Sequence, residues 1–167
     1  ITHPSDTAPP LAAFSAKVRT IGPDGKRKIP VENLHVQPRD NPRAETVLKP
    51  GEVITHIELP RPSANLYSSY RKVRARRSWD FALAGVALAL EMDGRQVVDG
   101  RVVLSGAAPV PWRSRSVEEV IRGRRLDAEI IEKAAQAVVE GADPLPENNY
   151  KLDLFKGVIE EELSKIA

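Results

Sequence analysis

The stretch Leu48-Lys49-Pro50-Gly51-Glu52-Val53-Ile54-Thr55-His56-Ile57-Glu58-Leu59-Pro60, followed after a short loop by Tyr70-Arg71-Lys72 and then by Asp80-Phe81-Ala82, decides how this chain is read. Its first half is a turn feeding a run in which apolar and polar residues alternate. Such alternation is the mark of a strand with one face buried, so Val53 to Leu59 is predicted as a half-buried strand. The second half is a strand carrying five Lys or Arg within seven positions (Arg71, Lys72, Arg74, Arg76 and Arg77). It runs into an almost uncharged stretch. Positive charge concentrated beside a dry core suits an anionic, partly apolar ligand.

Working outward, Ile1 to Pro10 is polar with three prolines and reads as an irregular loop opening onto a short apolar segment, Leu11 to Ala16. Lys17 to Ile21 and Lys26 to Pro30 read as a hairpin about Gly22-Pro23-Asp24-Gly25, because Asp-Gly tolerates positive φ. Val31 to Val36 suits one helical turn, and Gln37 to Arg43 is a Pro-rich loop. Pro60-Arg61-Pro62-Ser63 marks a subdomain junction. Beyond it, Ser68 to Val73, the apolar run from Phe81 to Met92 and the Val-rich Gln96 to Leu104 suit antiparallel strands, with Met92-Asp93-Gly94-Arg95 as a hairpin turn. Three helices follow. Ser116-Val117-Glu118-Glu119 reads as a capping box for the first. Asp127 caps the second, with an apolar stripe from Ile130 to Val139. Leu152, Phe155, Ile159, Leu163 and Ile166 give the third the same spacing. Helices grouped after strands argue for an α+β fold, not alternating α/β.

At 167 residues the chain is one ordinary domain or two small ones, and 41% hydrophobic residues limit the size of the core. A net charge of +2 makes the positive charge local and gives no footprint of a nucleic-acid binder. The absence of cysteine excludes disulfides, thiolate metal sites and iron–sulfur ligation by this chain. No stretch approaches the roughly 20 apolar residues of a membrane-spanning helix.

Few residues carry chemistry. His3, His35 and His56 sit in unrelated contexts, without metal-ligand spacing. Leu104-Ser105-Gly106 lacks the glycines of a nucleophile elbow, and neither Gly-x-Gly-x-x-Gly nor a phosphate loop occurs. A main pyrophosphate cradle would have to come from another part of the fold. The basic run from Arg71 to Arg77 fits three roles: a solvated edge strand guarded against pairing, a nucleic-acid contact, or charge compensation for an anionic cofactor. Trp79 is either a half-buried strand anchor or the one nearby aromatic able to cover a ring system. Asp6 is either an N-cap or an acceptor for ligand hydroxyls such as those of a ribityl chain.

These pieces occur in a particular order. Thr2-His3-Pro4-Ser5-Asp6 comes first, then a strand–turn–strand closing on Ile29-Pro30, then the Leu48 to Pro60 stretch. Tyr70-Arg71-Lys72 with trailing arginines, Asp80-Phe81-Ala82, a Val/Ala-rich strand and Leu104-Ser105-Gly106-Ala107-Ala108-Pro109-Val110-Pro111-Trp112-Arg113 complete it. In that order the chain resembles, over essentially its whole length, the FAD-binding (medium) subunit of the xanthine dehydrogenase and aldehyde oxidoreductase family of molybdenum hydroxylases. The resemblance implies that residues 1–60 form the second lobe of a PCMH-type FAD-binding domain. Residues 61–167 would form a C-terminal domain like that of the CO dehydrogenase flavoprotein, a three-stranded antiparallel sheet backed by three helices. FAD would be the cofactor, contacted by Asp6, with Ile54 lining its pocket and Lys72 or Arg71 approaching from the basic strand. Trp79 joins this candidate set as the aromatic beside that strand.

The same resemblance implies partners. A small subunit would carry 2Fe-2S clusters, a large subunit the molybdenum cofactor, and electrons would pass from those clusters through FAD to a terminal acceptor. The family's N-terminal half, whose Gly-rich loop wraps the pyrophosphate, does not occur in this sequence, nor does the Cys-containing insertion found in some aldehyde oxidoreductases. The chain is therefore expected to be the C-terminal part of such a subunit, sharing FAD with a companion half. No nucleic acid or membrane is expected as a partner. The rival expectation is a non-catalytic docking or assembly domain that holds no FAD on its own.

Overall fold

A computed structural model describes residues 3–167, so Thr2 of the Thr-His-Pro-Ser-Asp motif lies outside the described residues. The first hairpin forms where it was expected. Strand β1 (Lys17–Gly22) pairs antiparallel with β2 (Gly25–Pro30), from Lys17↔Pro30 to Gly22↔Gly25. The positive φ of this turn, +103°, falls on Gly25 and not on Asp24, and glycine bears it without a Cβ penalty. Strand β3 (Val53–Glu58) joins the other side of β1 through a bulge between Arg19 and Thr20, giving the order β2-β1-β3.

β3 departs from the predicted half-buried strand: every residue from Val53 to Ile57 is exposed. It is the sheet edge, and the burial on this sheet falls on Val18 and Ile29 of its neighbours. Helix α1 (Ala8–Ala13) occupies part of the segment read as a loop. Its prolines lie in the first turn, where no backbone N–H is needed for the helix.

The C-terminal half is built on β4 (Leu66–Val73), β5 (Ala84–Asp93) and β6 (Gln96–Ser105), each antiparallel to the next. Gly94, at φ +57°, closes the β5–β6 hairpin. Helices α2 (Arg115–Ile121), α3 (Ala128–Ala137) and α4 (Tyr150–Ser164) back one face. The alternation along β5 explains the layering. Val86, Leu88 and Leu90 point into the helical core with Val102, Ile121, Ile159 and Leu163. Each such side chain contributes about 1.5–3 kcal/mol by leaving water. The intervening Gly85, Ala87 and Ala89 are small. On that opposite face Ala12, Ala13 and Ala16 pack with Ala87, Ala89, Val103, Val18 and Ile29 in a second cluster that unites both halves of the chain.

Three further differences have local causes. Two short strands, β7 (Trp112–Arg113) and β8 (Arg124–Arg125), flank β6. They are too short to show any periodicity. The capping box does not form: α2 begins at Arg115 after Ser114, Ser116 Oγ donates to the Ala137 carbonyl at 2.8 Å, and Glu118 turns inward. Finally, β4 ends at Val73, so Arg74, Arg76 and Arg77 belong to a loop and not to the strand. Asp127 does cap α3, its carboxylate accepting from Ile130 N at 2.9 Å.

Candidate functional site

The site grows from the end of β4. Successive side chains on a strand face opposite ways, so Tyr70 and Lys72 share the α1 face while Arg71 faces the helices. Lys72 Nζ donates to Asp6 Oδ2 at 2.7 Å and Tyr70 OH donates to Asp6 Oδ1 at 3.2 Å. Asp6 thus does not cap α1. That task passes to Ser5, whose Oγ accepts from Ala8 N at 3.0 Å and Thr7 N at 3.2 Å. Burial first, and the Asp6 carboxylate beside it, push the Tyr70 phenol up, so it stays a protonated donor at neutral pH. Arg71 is committed elsewhere: its Nε donates to both oxygens of Glu161 on α4 at 3.0 Å. That guanidinium is the main cause holding the Glu161 carboxyl below its ordinary range.

Beyond Lys72 the loop turns back on itself around Asp80. Asp80 Oδ2 accepts from Ala75 N and Arg76 N at 3.1 Å each, and its Oδ1 accepts from Phe81 N at 3.0 Å. Arg76 adds a hydrogen bond to the Trp79 carbonyl. Trp79 is held at φ +51° and is 92% exposed. Between this loop and the N-terminal segment lies an open cavity of about 500 Å3, lined by Asp6, Lys72, Arg74, Arg77, Trp79 and Phe81, among others. Arg74 and Arg77 have no carboxylate within 4.0 Å among the described residues.

Of the sequence-derived candidates, the fold brings together Asp6, Lys72 and Trp79. Arg71 lies behind them against α4, and Ile54, opposite Thr20 on the three-stranded sheet, does not line this cavity. Tyr70, Phe81, Arg74 and Arg77 belong to the site as well. Tyr70 belongs to the Tyr70-Arg71-Lys72 motif, but its sequence context assigned it no role of its own.

The donor set can be read chemically. An ionised carboxylate is acceptor-only with about four lone-pair positions, so Asp6 retains capacity for ligand hydroxyls after serving Tyr70 and Lys72. Lys72, Arg74 and Arg77 supply positive charge, and Trp79 and Phe81 supply flat apolar surface. These residues fit a flavin dinucleotide, which combines a polyol, a pyrophosphate and a ring system. A separate cleft of about 410 Å3 between residues 104–112 and 138–155 is more apolar. Its Lys151 Nζ donates to the Gly106 carbonyl at 2.9 Å, and burial pushes that amine down. His3 and His35 pack edge to face at 4.4 Å, and no group of three or more metal-ligating side chains occurs among the described residues.

Comparison with known proteins covers nearly the whole chain. The family described as the FAD binding domain in molybdopterin dehydrogenase matches residues 1–62, and the CO dehydrogenase flavoprotein C-terminal domain matches residues 68–163. The aldehyde oxidoreductase FAD-binding subunit PaoB of Escherichia coli is 38% identical over 98% of this chain and 48% of the relative. The glyceraldehyde dehydrogenase medium chain of Sulfolobus acidocaldarius is 25% identical over 98% of this chain and 57% of the relative. The chain thus spans about half the length of these relatives. Among solved structures, carbon monoxide dehydrogenase from Hydrogenophaga pseudoflava superposes with a TM-score of 0.85 at 24% identity, covering 96% of this chain and 55% of that one. Quinoline 2-oxidoreductase from Pseudomonas putida 86 gives 0.84 at 20% identity, covering 99% and 56%, which likewise supports the fold. The two matched domains, in this order and over this length, place the chain in the family of FAD-binding subunits of molybdenum hydroxylases, and it belongs to that family.

Proposed function

We propose that this chain supplies one wall of a FAD site in the flavin subunit of a molybdenum hydroxylase, with a companion N-terminal half supplying the other. The observation that carries this reading is the Asp6–Lys72 pair standing over a cavity bounded by Trp79 and two arginines that have no carboxylate partner among the described residues. Asp6, Lys72, Arg74, Arg77 and Trp79 would hold the FAD, which would supply electron transfer between a 2Fe-2S small subunit and a terminal acceptor, with a molybdopterin large subunit as the site of substrate hydroxylation. Asp6 accepts from ligand hydroxyls. Lys72 holds Asp6, and the pair offers hydrogen-bonding capacity to the ligand. Arg74 and Arg77 balance anionic groups, and Trp79 covers the ring. Of the two cations on β4, Lys72 takes the contact role because it lines the cavity, whereas Arg71 lies on the other face against Glu161 of α4. Ile54 would line a part of the pocket completed by the companion half.

A specific observation also favours the docking reading. Val53, Ile57 and Leu59 are 60%, 54% and 59% exposed along an unpaired sheet edge, as a partner-binding edge would be. One measurement separates the two: absorbance near 450 nm of the protein purified with its companion half. A yellow sample that loses its colour on Asp6→Ala supports the flavin reading. A colourless sample, with both halves present by mass spectrometry, refutes it and leaves docking.

A further inference from the structure

We propose that Tyr70 and Ser105, meeting across the bare backbone of Gly85, form a positioning relay that fixes the Asp6 carboxylate for ligand binding. This rests on the flavin reading above and extends it to residues that touch no ligand.

Lys72 on β4, Gly85 on β5 and Ser105 on β6 stand in register across the sheet. Between two side chains on one sheet face, the central residue normally projects a third. Here it is absent. A Cβ on Gly85 would fall 2.3 Å from Ser105 Oγ and 3.0 Å from the Arg71 carbonyl. The missing side chain leaves a slot for Ser105 Oγ, which lies 3.3 Å from Tyr70 OH. Ser105 is buried, so its hydroxyl depends on protein partners.

Proton count orients the chain. Tyr70 has one hydroxyl proton and ionised Asp6 can only accept, so Tyr70 donates to Asp6 Oδ1. Ser105 must then donate to Tyr70. The relay runs Ser105 to Tyr70 to Asp6, from the third strand of one domain to the entry loop of the other. Asp6 precedes a helix of only six residues, and its other anchor is the flexible ammonium stem of Lys72. Tyr70 is the rigid one, with its ring packed in the cluster of Ala87, Ala89 and Val103. It holds Oδ1 so that the remaining lone pairs face the cavity.

The test is a pair of double-mutant cycles. In the complete flavin subunit, Tyr70→Phe is expected to weaken FAD binding about tenfold, as for one lost hydrogen bond to a charged group. Ser105→Ala and Gly85→Ala shift it in the same direction. In an Asp6→Ala background, which leaves Tyr70 no side-chain acceptor, Tyr70→Phe should add less than about twofold, because the two act as one unit. The second cycle reads urea unfolding of the ligand-free protein, where Asp6→Ala and Tyr70→Phe should again be non-additive. Additivity in both cycles overturns the relay. If Asp6→Ala weakens FAD binding but Tyr70→Phe does not, the relay fails and the flavin reading stands. If unfolding is coupled while neither variant changes FAD affinity, the flavin reading fails and takes the relay's purpose with it.

Discussion

Glu118→Ala should destabilise this fold by about 3–4 kcal/mol, and the reason is visible in three hydrogen bonds. The Glu118 carboxylate is buried, with its side chain only 3% exposed. It accepts from Arg113 Nε and Nη2, each at 2.8 Å, and from the backbone N–H of Val102 at 3.0 Å. Val102 is fully buried in β6, so truncation orphans a donor that water does not reach, at about 1–3 kcal/mol. Breaking a buried ion pair costs about 3–5 kcal/mol. Arg113 keeps Glu32 at 3.4 Å and some solvent contact, which places the total near the lower end. For a chain of this length the melting temperature falls by about 10 °C. Glu118→Gln keeps an acceptor for Val102 and should cost about half as much. The discriminating control is Glu119→Ala. A capping box from Ser116 would make Glu119 the costly residue, whereas its exposure makes it nearly silent, within about 0.5 kcal/mol. Thermal and urea unfolding of the three variants decide the matter. Glu118→Ala within about 1 kcal/mol of the parent, or Glu119→Ala costing more, would refute the reasoning.

Lys72→Glu sets a second carboxylate against Asp6 and removes its ammonium donor, so FAD retention in the complete subunit should drop about 10- to 100-fold; unchanged flavin content at 450 nm would remove Lys72 from the site. Acidification should erode stability in two stages. Burial first, then the neighbouring His3, holds His35 down to about 4. The unfolded chain therefore takes up that proton first, and stability falls between about pH 6.5 and 4. Hydrogen bonds from Arg27, then Lys49 N and the Thr20 hydroxyl, hold Glu52 at about 2, so its contribution is full above about pH 4.5 and is lost on the way to 2. His35→Phe should flatten the upper limb and Glu52→Gln the lower; urea midpoints measured across pH check both, and unaltered slopes would count against the assignment. Ala87→Leu should cost about 1–3 kcal/mol by overpacking the face against α1, and should weaken FAD binding as well, because α1 carries the entry loop of Asp6. A stability loss with no change in FAD affinity would show that this packing does not set the site.

Much of the fold was legible because period and turn chemistry agreed. The hairpins at Asp24-Gly25 and Asp93-Gly94 formed, Asp127 capped its helix, and Phe155, Ile159 and Leu163 lined one buried stripe. The alternation Gly85, Val86, Ala87, Leu88, Ala89, Leu90 was equally present, but small against large needs the partners of both faces before it reads as two cores. β3 shows the opposite limit. Alternation says which side chains share a face, not whether anything covers that face. At the site, the basic run was plain, yet its division was not. A one-residue step sends Arg71 to Glu161 and Lys72 to Asp6, and the strand's end at Val73 frees the later arginines into a loop held by Asp80. Tyr70 and Ser105 are 35 residues apart and meet only through strand register.

The small face of β5 is what permits a site at this junction. A central strand with large side chains on both faces would hold α1 away from the sheet, and Asp6 with it. Alanine at 87 and 89 and glycine at 85 let the N-terminal segment settle close, and the Lys72–Asp6 contact at 2.7 Å then spans the two halves of the chain. The charge on that contact has a consequence for the ligand. Lys72 is already balanced by Asp6, so the pair presents hydrogen-bonding capacity more than net charge. The uncompensated positive charge facing the cavity comes from Arg74 and Arg77, one turn of loop away. A ligand with a polyol near the pair and its anionic groups toward the arginines satisfies both at once, and one lacking either part leaves a charged or hydrogen-bonding group unmatched.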